Sequence, residues 1–163
     1  MPPRLFALGF LIASTASALA APFMTQHGHW TVMAGGPAAC MALNRPPEEF
    51  NVAPFNALSI RQRRGAQPVL QVFTWPNVFK PSQSVTITMT VDGTRTELPA
   101  QTADSYIAET NSALPAELIA LLRGARNAQI EITGLPHVLL FDISDIEGVL
   151  GSLEACERQL PRS

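Results

Sequence analysis

Positive charge is scarce in this sequence. The 163 residues include 11 lysines and arginines against 13 aspartates and glutamates, which gives a formal net charge of −2. Only Lys80 is a lysine. A protein that binds nucleic acid usually carries a concentrated basic patch, because the phosphate backbone dominates affinity. We therefore expect no nucleic-acid partner.

The sequence also lacks the short motifs of the common catalytic and cofactor sites. It contains no Gly-x-Ser-x-Gly, the motif that holds the nucleophile of α/β-hydrolases. The Gly35-Gly36 pair is followed by proline and alanine, whereas a phosphate-binding loop needs a lysine and the start of a helix. We expect no cofactor, and a non-enzymatic protein is favoured over an enzyme.

No apolar run is long enough to cross a membrane. Arg4 precedes an apolar run over residues 5–13, whereas a transmembrane helix needs about 20 apolar residues. The small residues of Ala18-Leu19-Ala20 then fit the cleavage rule of a secretory signal. The sequence predicts a signal peptide over residues 1–20, no transmembrane anchor, and a single globular domain over residues 21–163 in the periplasm or the medium.

Cysteine is limited to Cys40 and Cys156. Two cysteines allow one pairing, and the oxidising compartment implied by export favours its formation. No Cys-x-x-Cys pair is present to suggest redox catalysis. We predict a structural Cys40–Cys156 disulfide.

Alternating polar and apolar residues predict several short antiparallel strands. The clearest covers residues 84–91, where the threonines alternate with apolar side chains. Asp92-Gly93 follows at once and favours a tight turn, so residues 94–98 should pair back as a hairpin. Arg61 and Arg63 share one face of another alternating strand, which we assign to a solvated sheet edge.

Two helices are predicted in the second half of the chain. Leucines recur at helical spacing over residues 114–122, and Gly124 suits the end of that helix. Ser144-x-x-Glu147 is typical of a capping box before a final helix that carries Cys156. The fold class is therefore β-rich α+β, an antiparallel sheet or sandwich with two helices packed on it and one disulfide.

Histidines and carboxylates are the candidates for chemistry. His27 and His29 form a close pair that is either a weak metal site or an exposed, flexible entry segment. His137 is either a general base or an ordinary loop histidine. The acids at the start of the last helix are either catalytic or explained by the positive end of the helix dipole. These acids are Asp142, Asp145 and Glu147.

An aromatic pair offers a candidate binding surface. Trp75 and Phe79 flank a proline-marked loop, Trp75-Pro76-Asn77-Val78-Phe79. Large rings in such a loop either form an exposed contact for a partner or fill the core.

The order of several short segments resembles a known family. These segments are Trp30-Thr31-Val32, Cys40-Met41-Ala42, Val91-Asp92-Gly93, Arg123-Gly124, and the final helix from Gly148 to Cys156. Together they resemble the invasion-associated locus B type of small bacterial periplasmic proteins. The resemblance implies an exported, β-rich protein without recognised catalytic residues, and a role in envelope function or host-cell interaction.

Two functions follow as hypotheses. The first is a non-enzymatic periplasmic or secreted binding protein that recognises a protein or an envelope component through a sheet face or the Trp75 to Phe79 loop. The alternative is a secreted hydrolase or metal-dependent enzyme that uses His137 or the three acids. The alternative requires His137 to lie within hydrogen-bond reach of a serine or a carboxylate in a pocket. The oligomeric state is not indicated by the sequence.

Overall fold

The computed structural model describes residues 23–36, 38–75 and 78–160. The predicted signal peptide and its cleavage site lie outside these residues, as do Pro76 and Asn77 of the aromatic loop.

In these described ranges, ten strands form one antiparallel sheet. Their order across the sheet is β1-β2-β3-β4-β5-β8-β7-β6-β9-β10. The strands are β1 Met24–His27, β2 Trp30–Ala34, β3 Ala39–Leu43, β4 Ala57–Arg63, β5 Val69–Phe73, β6 Ser84–Val91, β7 Thr94–Asp104, β8 Ile107–Thr110, β9 Asn127–Ile132 and β10 Leu139–Asp142.

The hairpin of β6 and β7 forms as the sequence predicts. Asp92 and Gly93 have φ angles of 47° and 79°, which is the left-handed geometry of a tight primed turn. Residues opposite each other in the register include Val91 with Thr94 and Ile87 with Leu98. The alternation of β6 buries Val85, Ile87, Met89 and Val91 on the core side of the sheet.

Two helices pack on this sheet, which confirms the predicted fold class. Helix α1 covers Ala116–Gly124 and helix α2 covers Ile146–Gln159. Helix α2 lies across β1 to β4. The α2 side chains that it buries are Ile146, Val149, Leu150, Leu153 and Cys156. No helix in the described part of the chain is long and apolar enough to cross a membrane.

The predicted disulfide is present and ties α2 to the sheet. Cys40 in β3 and Cys156 in α2 form a bond with an S–S distance of 2.03 Å across a sequence separation of 116. Both side chains are buried. The bond therefore joins the first part of the sheet to the last helix.

The capping box predicted at Ser144 does not form. The residue before α2 is Asp145, which has a left-handed φ of 66° and makes no side-chain capping hydrogen bond. The turn through Asp145 leaves Ser144 outside the helix. The backbone amide of Ser144 instead donates to Asp142 Oδ1 at 2.9 Å. Glu147 pairs with Arg123 of α1 at 3.1 Å.

The assignment of Arg61 to a sheet edge is also wrong. Strand β4 lies between β3 and β5, well inside the sheet. Arg61 Nη2 donates to the carboxylate of Glu109 in β8 at 2.6 Å, and both side chains are about three-quarters buried. The charge of Arg61 is tolerated there because a carboxylate two strands away neutralises it.

The two ends of the sheet approach each other. Asn44, the residue after β3, donates from Nδ2 to the backbone carbonyl of Asp142 in β10 at 2.7 Å. His29, just before β2, places Nε2 at 3.9 Å from Asp142 Oδ2. This curvature brings β10 next to the long loop between β3 and β4.

Candidate functional site

Three loops meet beside the end of β5. Trp75, two residues after β5, donates its backbone amide to Asn56 Oδ1 of the β3–β4 loop at 2.7 Å. Thr74 donates its amide to the carbonyl of Tyr106, in the turn between β7 and β8, at 2.8 Å. Val78 donates to the carbonyl of Ser105 in that turn at 3.0 Å. These hydrogen bonds fix segments that are far apart in sequence.

The side chains of these loops form what we call the aromatic surface, made of Phe55, Phe73, Trp75, Val78 and Tyr106. Phe55 and Phe73 pack edge to face with their ring centroids 5.7 Å apart. Phe73 and Tyr106 are tilted against each other at 6.4 Å. Trp75, Val78 and Tyr106 remain 49%, 39% and 37% exposed. The patch therefore has a packed base and an open apolar top.

Arg45 holds the loop beneath this surface. Its guanidinium carbon lies 5.1 Å from the centroid of the Phe55 ring, a cation–π arrangement. The same side chain donates to the carbonyl of Pro54 at 2.8 Å and pairs with Glu49 at 3.1 Å. With its charge and donors satisfied inside one loop, Arg45 fixes the loop and the ring of Phe55 together.

The structure separates the two aromatic residues that the sequence singled out. Trp75 is half exposed and lies on the aromatic surface, whereas Phe79 is only 7% exposed and belongs to the core. The backbone amides of Val78 and Phe79 both donate to the carbonyl of Ser105, and this turn directs Phe79 inward. Phe79 therefore does not contribute an exposed ring.

An open groove adjoins the aromatic surface. We call it the β10 groove, and its volume is about 580 Å³. One wall is β10 with the two residues before it, and the other is the β3–β4 loop. Arg45 and Asn56 belong both to this wall and to the support of the aromatic surface. The lining residues are His29, Asn44, Arg45, Pro46, Glu49, Pro54, Asn56 and residues 137–142.

His137 lines this groove without a partner that would make it a catalytic base. Its side chain is exposed. Within the described ranges, no serine and no carboxylate hydrogen-bonds to its ring. The nucleophile or orienting acid that the enzyme hypothesis requires at His137 is therefore not supplied by this part of the chain.

His27 and His29 have separate environments. His27 belongs to β1, so it is not in the flexible entry segment that the sequence suggested. Its Nε2 and Ser152 Oγ of α2 share a hydrogen bond of 2.7 Å. His29 is exposed beside Asp142. Among the residues that the structure describes, no group of three or more histidines, cysteines or acids is placed to hold a metal ion.

Asp142 and Asp145 line one open pocket, but each of the three candidate acids is held by a different neighbour. The pKa of Asp142 lies below its ordinary value because Ser144 hydrogen-bonds to its carboxylate, through its side chain and through its backbone amide. Asp145 Oδ2 lies against the backbone at Gly28. Glu147 pairs with Arg123. Each carboxylate therefore has a structural neighbour of its own.

Sequence reasoning missed most of the aromatic surface. Arg45, Phe55, Phe73 and Tyr106 come from three separate segments, and no spacing along the chain relates them. Trp75 was found because a proline follows it in a loop. The other rings could be placed beside it only once the sheet order was known.

Comparison with known proteins supplies one solved structure. No protein-family model matches the chain, and no curated protein sequence matches it. The crystal structure of invasion associated protein B from Bartonella henselae is similar, with a TM-score of 0.58 and 16% sequence identity over 84% of this chain and 99% of that one. The resemblance to the invasion-associated locus B type is therefore confirmed as a similarity of fold.

Proposed function

We propose that this protein is an exported, non-enzymatic binding protein of the bacterial envelope. Residues 1–20 are removed as a secretory signal, and the domain over residues 21–163 acts in the periplasm or outside the cell. Its partner is a protein or another envelope component. The contact is made by the aromatic surface.

The observation that carries this proposal is the exposure of Trp75 and Tyr106 on adjoining loops, where Tyr106 packs on Phe73. Tryptophan and tyrosine are enriched among the residues that dominate binding energy, because they bury a large area with few rotatable bonds. Contiguous exposed apolar patches on soluble proteins commonly mark interaction sites. The hydrogen bonds of Asn56 and Ser105 hold the loops in place beforehand, which reduces the entropy lost on binding.

Two further features support this proposal. Disulfides persist in oxidising compartments, so the buried Cys40–Cys156 bond fits export. The similar structure from Bartonella henselae is named as an invasion associated protein, which fits a role in contact between the envelope and other cells.

Cosedimentation of the purified mature protein with isolated bacterial envelopes tests this proposal. Trp75→Ala and Tyr106→Ala should each weaken binding about tenfold or more, because truncating a central aromatic anchor usually costs 2 kcal/mol or more, as an order of magnitude. Met24→Ala is the matched control, since Met24 is 58% exposed but lies in β1, outside the aromatic surface. Equal binding by all four proteins would refute the assignment of the site.

A further inference from the structure

Strand β10 is one edge of the sheet, and its hydrogen-bond pattern defines which backbone groups face outward. Ile143 donates its amide to the carbonyl of Arg126 at 2.7 Å. In the register of β10 with β9, Phe141 lies opposite Ala128 and Leu140 opposite Gln129. Because bonded and non-bonded pairs alternate in antiparallel strands, Phe141 faces β9 like Ile143. The N–H and C=O of Leu140 therefore point away from β9.

The neighbouring side chain of Asn44 supports the same pattern independently. Asp142 lies two residues after Leu140, so its backbone groups point in the same direction. Its carbonyl accepts the hydrogen bond from Asn44 Nδ2 across the groove. Asn44 thus hydrogen-bonds to one of the outward backbone groups of β10, the carbonyl of Asp142. Within the described ranges, no backbone hydrogen bond outside the β9 ladder involves Leu140.

The side chains of this edge are apolar where edges are usually polar. Leu140 is 72% exposed and Val138 is 49% exposed, whereas Leu139 and Phe141 are buried. Sheets normally protect their edges with lysine, proline or inward-pointing charges. The opposite edge, β1, has the sequence Met-Thr-Gln-His, in which Met24 is apolar and the other three residues are polar. Strand β10 is therefore the edge that is open to another strand.

We propose that the β10 groove binds an extended segment of a partner polypeptide, which adds to the sheet as a strand beside β10. Backbone hydrogen bonds to Leu140 would supply affinity, as in other cases of strand addition. Arg45 pairs with Glu49, so Asp142, whose carboxylate accepts a hydrogen bond from Ser144, is the remaining formal charge among the described lining residues. Its negative charge disfavours an acidic segment, and the exposed Val138 and Leu140 favour an uncharged one of about four residues, the length of β10. The inference rests on the proposed binding function and adds a second contact, in the groove that adjoins the aromatic surface.

Titration with short peptides tests the strand addition directly. The probe is acetyl-Val-Thr-Val-Thr-Val-amide. Its binding is followed through changes in the backbone amide signals of the ¹⁵N-labelled mature protein. The changes should concentrate at residues 138–142 and 44–46. Two further peptides serve as controls, one N-methylated on the valines and the other on the threonines. A strand presents alternate amides to its neighbour, so only one of these two peptides should lose about tenfold or more in affinity. No change in the spectrum, or equal affinity of all three peptides, would overturn the proposal.

Two variants of one residue separate backbone recognition from apolar contact. Leu140→Pro removes the outward N–H and leaves the β9 ladder intact, since proline is tolerated where an edge amide faces solvent. Leu140→Thr keeps that N–H. We expect the peptide to bind Leu140→Thr and to lose about tenfold or more with Leu140→Pro, while thermal melting shows both variants folded. Equal loss in the two variants would contradict strand addition.

A second copy of this chain is the competing occupant. We expect light scattering of the protein without peptide to show no self-association through β10. Self-association through β10 would be lost in the Leu140→Pro variant. Such an association would assign the edge to a homodimer and overturn the proposal. If strand addition at β10 is refuted, the proposed binding function is still tested independently by the cosedimentation of the Trp75 and Tyr106 variants.

Discussion

Two glycines of helix α2 differ in what stands beside them. A Cβ atom at Gly148 would lie 2.9 Å from Nδ1 of His27, whereas a Cβ at Gly151 would have no heavy atom within 4 Å. The ring of His27 therefore rests on Gly148 while it hydrogen-bonds to Ser152. The small residue at position 148 permits β1 to pack on the helix.

This difference predicts opposite effects for the same substitution. Gly151→Ala should raise the free energy of unfolding by about 0.5–1 kcal/mol, because alanine favours a helix interior. Gly148→Ala gains the same propensity but displaces His27 and weakens a hydrogen bond worth about 1 kcal/mol, so it should not stabilise. Urea unfolding of the two variants measures both effects. Equal stabilisation would show that His27 does not pack as described.

The carboxylate of Asp142 should make the stability of the folded protein depend on pH. Its hydrogen bonds from Ser144 hold its pKa below the ordinary value of 3.8 in the folded protein. A group with a lowered folded pKa contributes stability above its unfolded pKa and loses that contribution as the pH falls through the folded value. The contribution of Asp142 is therefore complete near neutral pH and disappears below pH 3.8.

Titration of the Asp142 carboxyl carbon by NMR checks this direction. We expect a midpoint below 3.8 in the unmodified protein. Ser144→Ala should raise the midpoint, because it removes the hydroxyl and leaves the backbone amide in place. A midpoint at or above 3.8 before substitution would contradict the geometry at Ser144.

At the scale of elements, β4 and β8 are joined through β5 by a polar network. Glu109 of β8 accepts hydrogen bonds from Arg61 of β4 and from Gln71 of β5, both at 2.6 Å. Arg61 Nε is buried and has no hydrogen-bond partner among the described residues. The pair with Glu109 is therefore the main compensation for this largely buried charge.

Removing one member of this pair should cost more than removing both. Glu109→Leu should lower the free energy of unfolding by about 2–3 kcal/mol, because it leaves Arg61 without its counter-charge. The double variant Arg61→Leu with Glu109→Leu should recover at least half of that loss. Chemical denaturation of the single and double variants gives the coupling. Additive losses would show that the two side chains do not interact.

Local patterns explain which elements could be predicted. The β6–β7 hairpin was recognised because its alternation and its Asp92-Gly93 turn are contained in neighbouring residues. Strands β1 and β8 were missed because each has only four residues, too few to show a clear alternation. Strand β1 pairs with the next strand, β2, and β8 pairs with β7 and with the more distant β5. The position of β4 was wrong because the place of a strand in a sheet is not encoded in its own alternation.

At the scale of the molecule, the Cys40–Cys156 bond closes most of the domain into one loop. A crosslink over a separation of 116 residues restricts the unfolded chain strongly. Replacing both cysteines by alanine should lower the free energy of unfolding by about 4–5 kcal/mol, as the chain-entropy model gives for a loop of this length. Denaturant unfolding of the double variant beside the oxidised protein measures the loss. A loss below 1 kcal/mol would mean that the bond hardly restricts the unfolded chain.

The proposed binding surface belongs to this scale as well, which is why the sequence indicated it only in part. Trp75 was a candidate from its loop, and Phe79 was paired with it because they lie close in sequence. The fold instead buries Phe79 and bonds Tyr106 to Thr74, the residue before Trp75. Sheet order, and not distance along the chain, determines which rings share a surface.

Photo-crosslinking in intact bacterial cells tests the proposed binding role most directly. A benzoylphenylalanine at position 75 keeps an aromatic ring on the aromatic surface, and the same group at position 24 serves as the exposed control. We predict that irradiation gives a discrete heavier species for position 75 and none for position 24. Absence of an adduct at position 75, or the same adduct at both positions, would contradict a binding role for this surface.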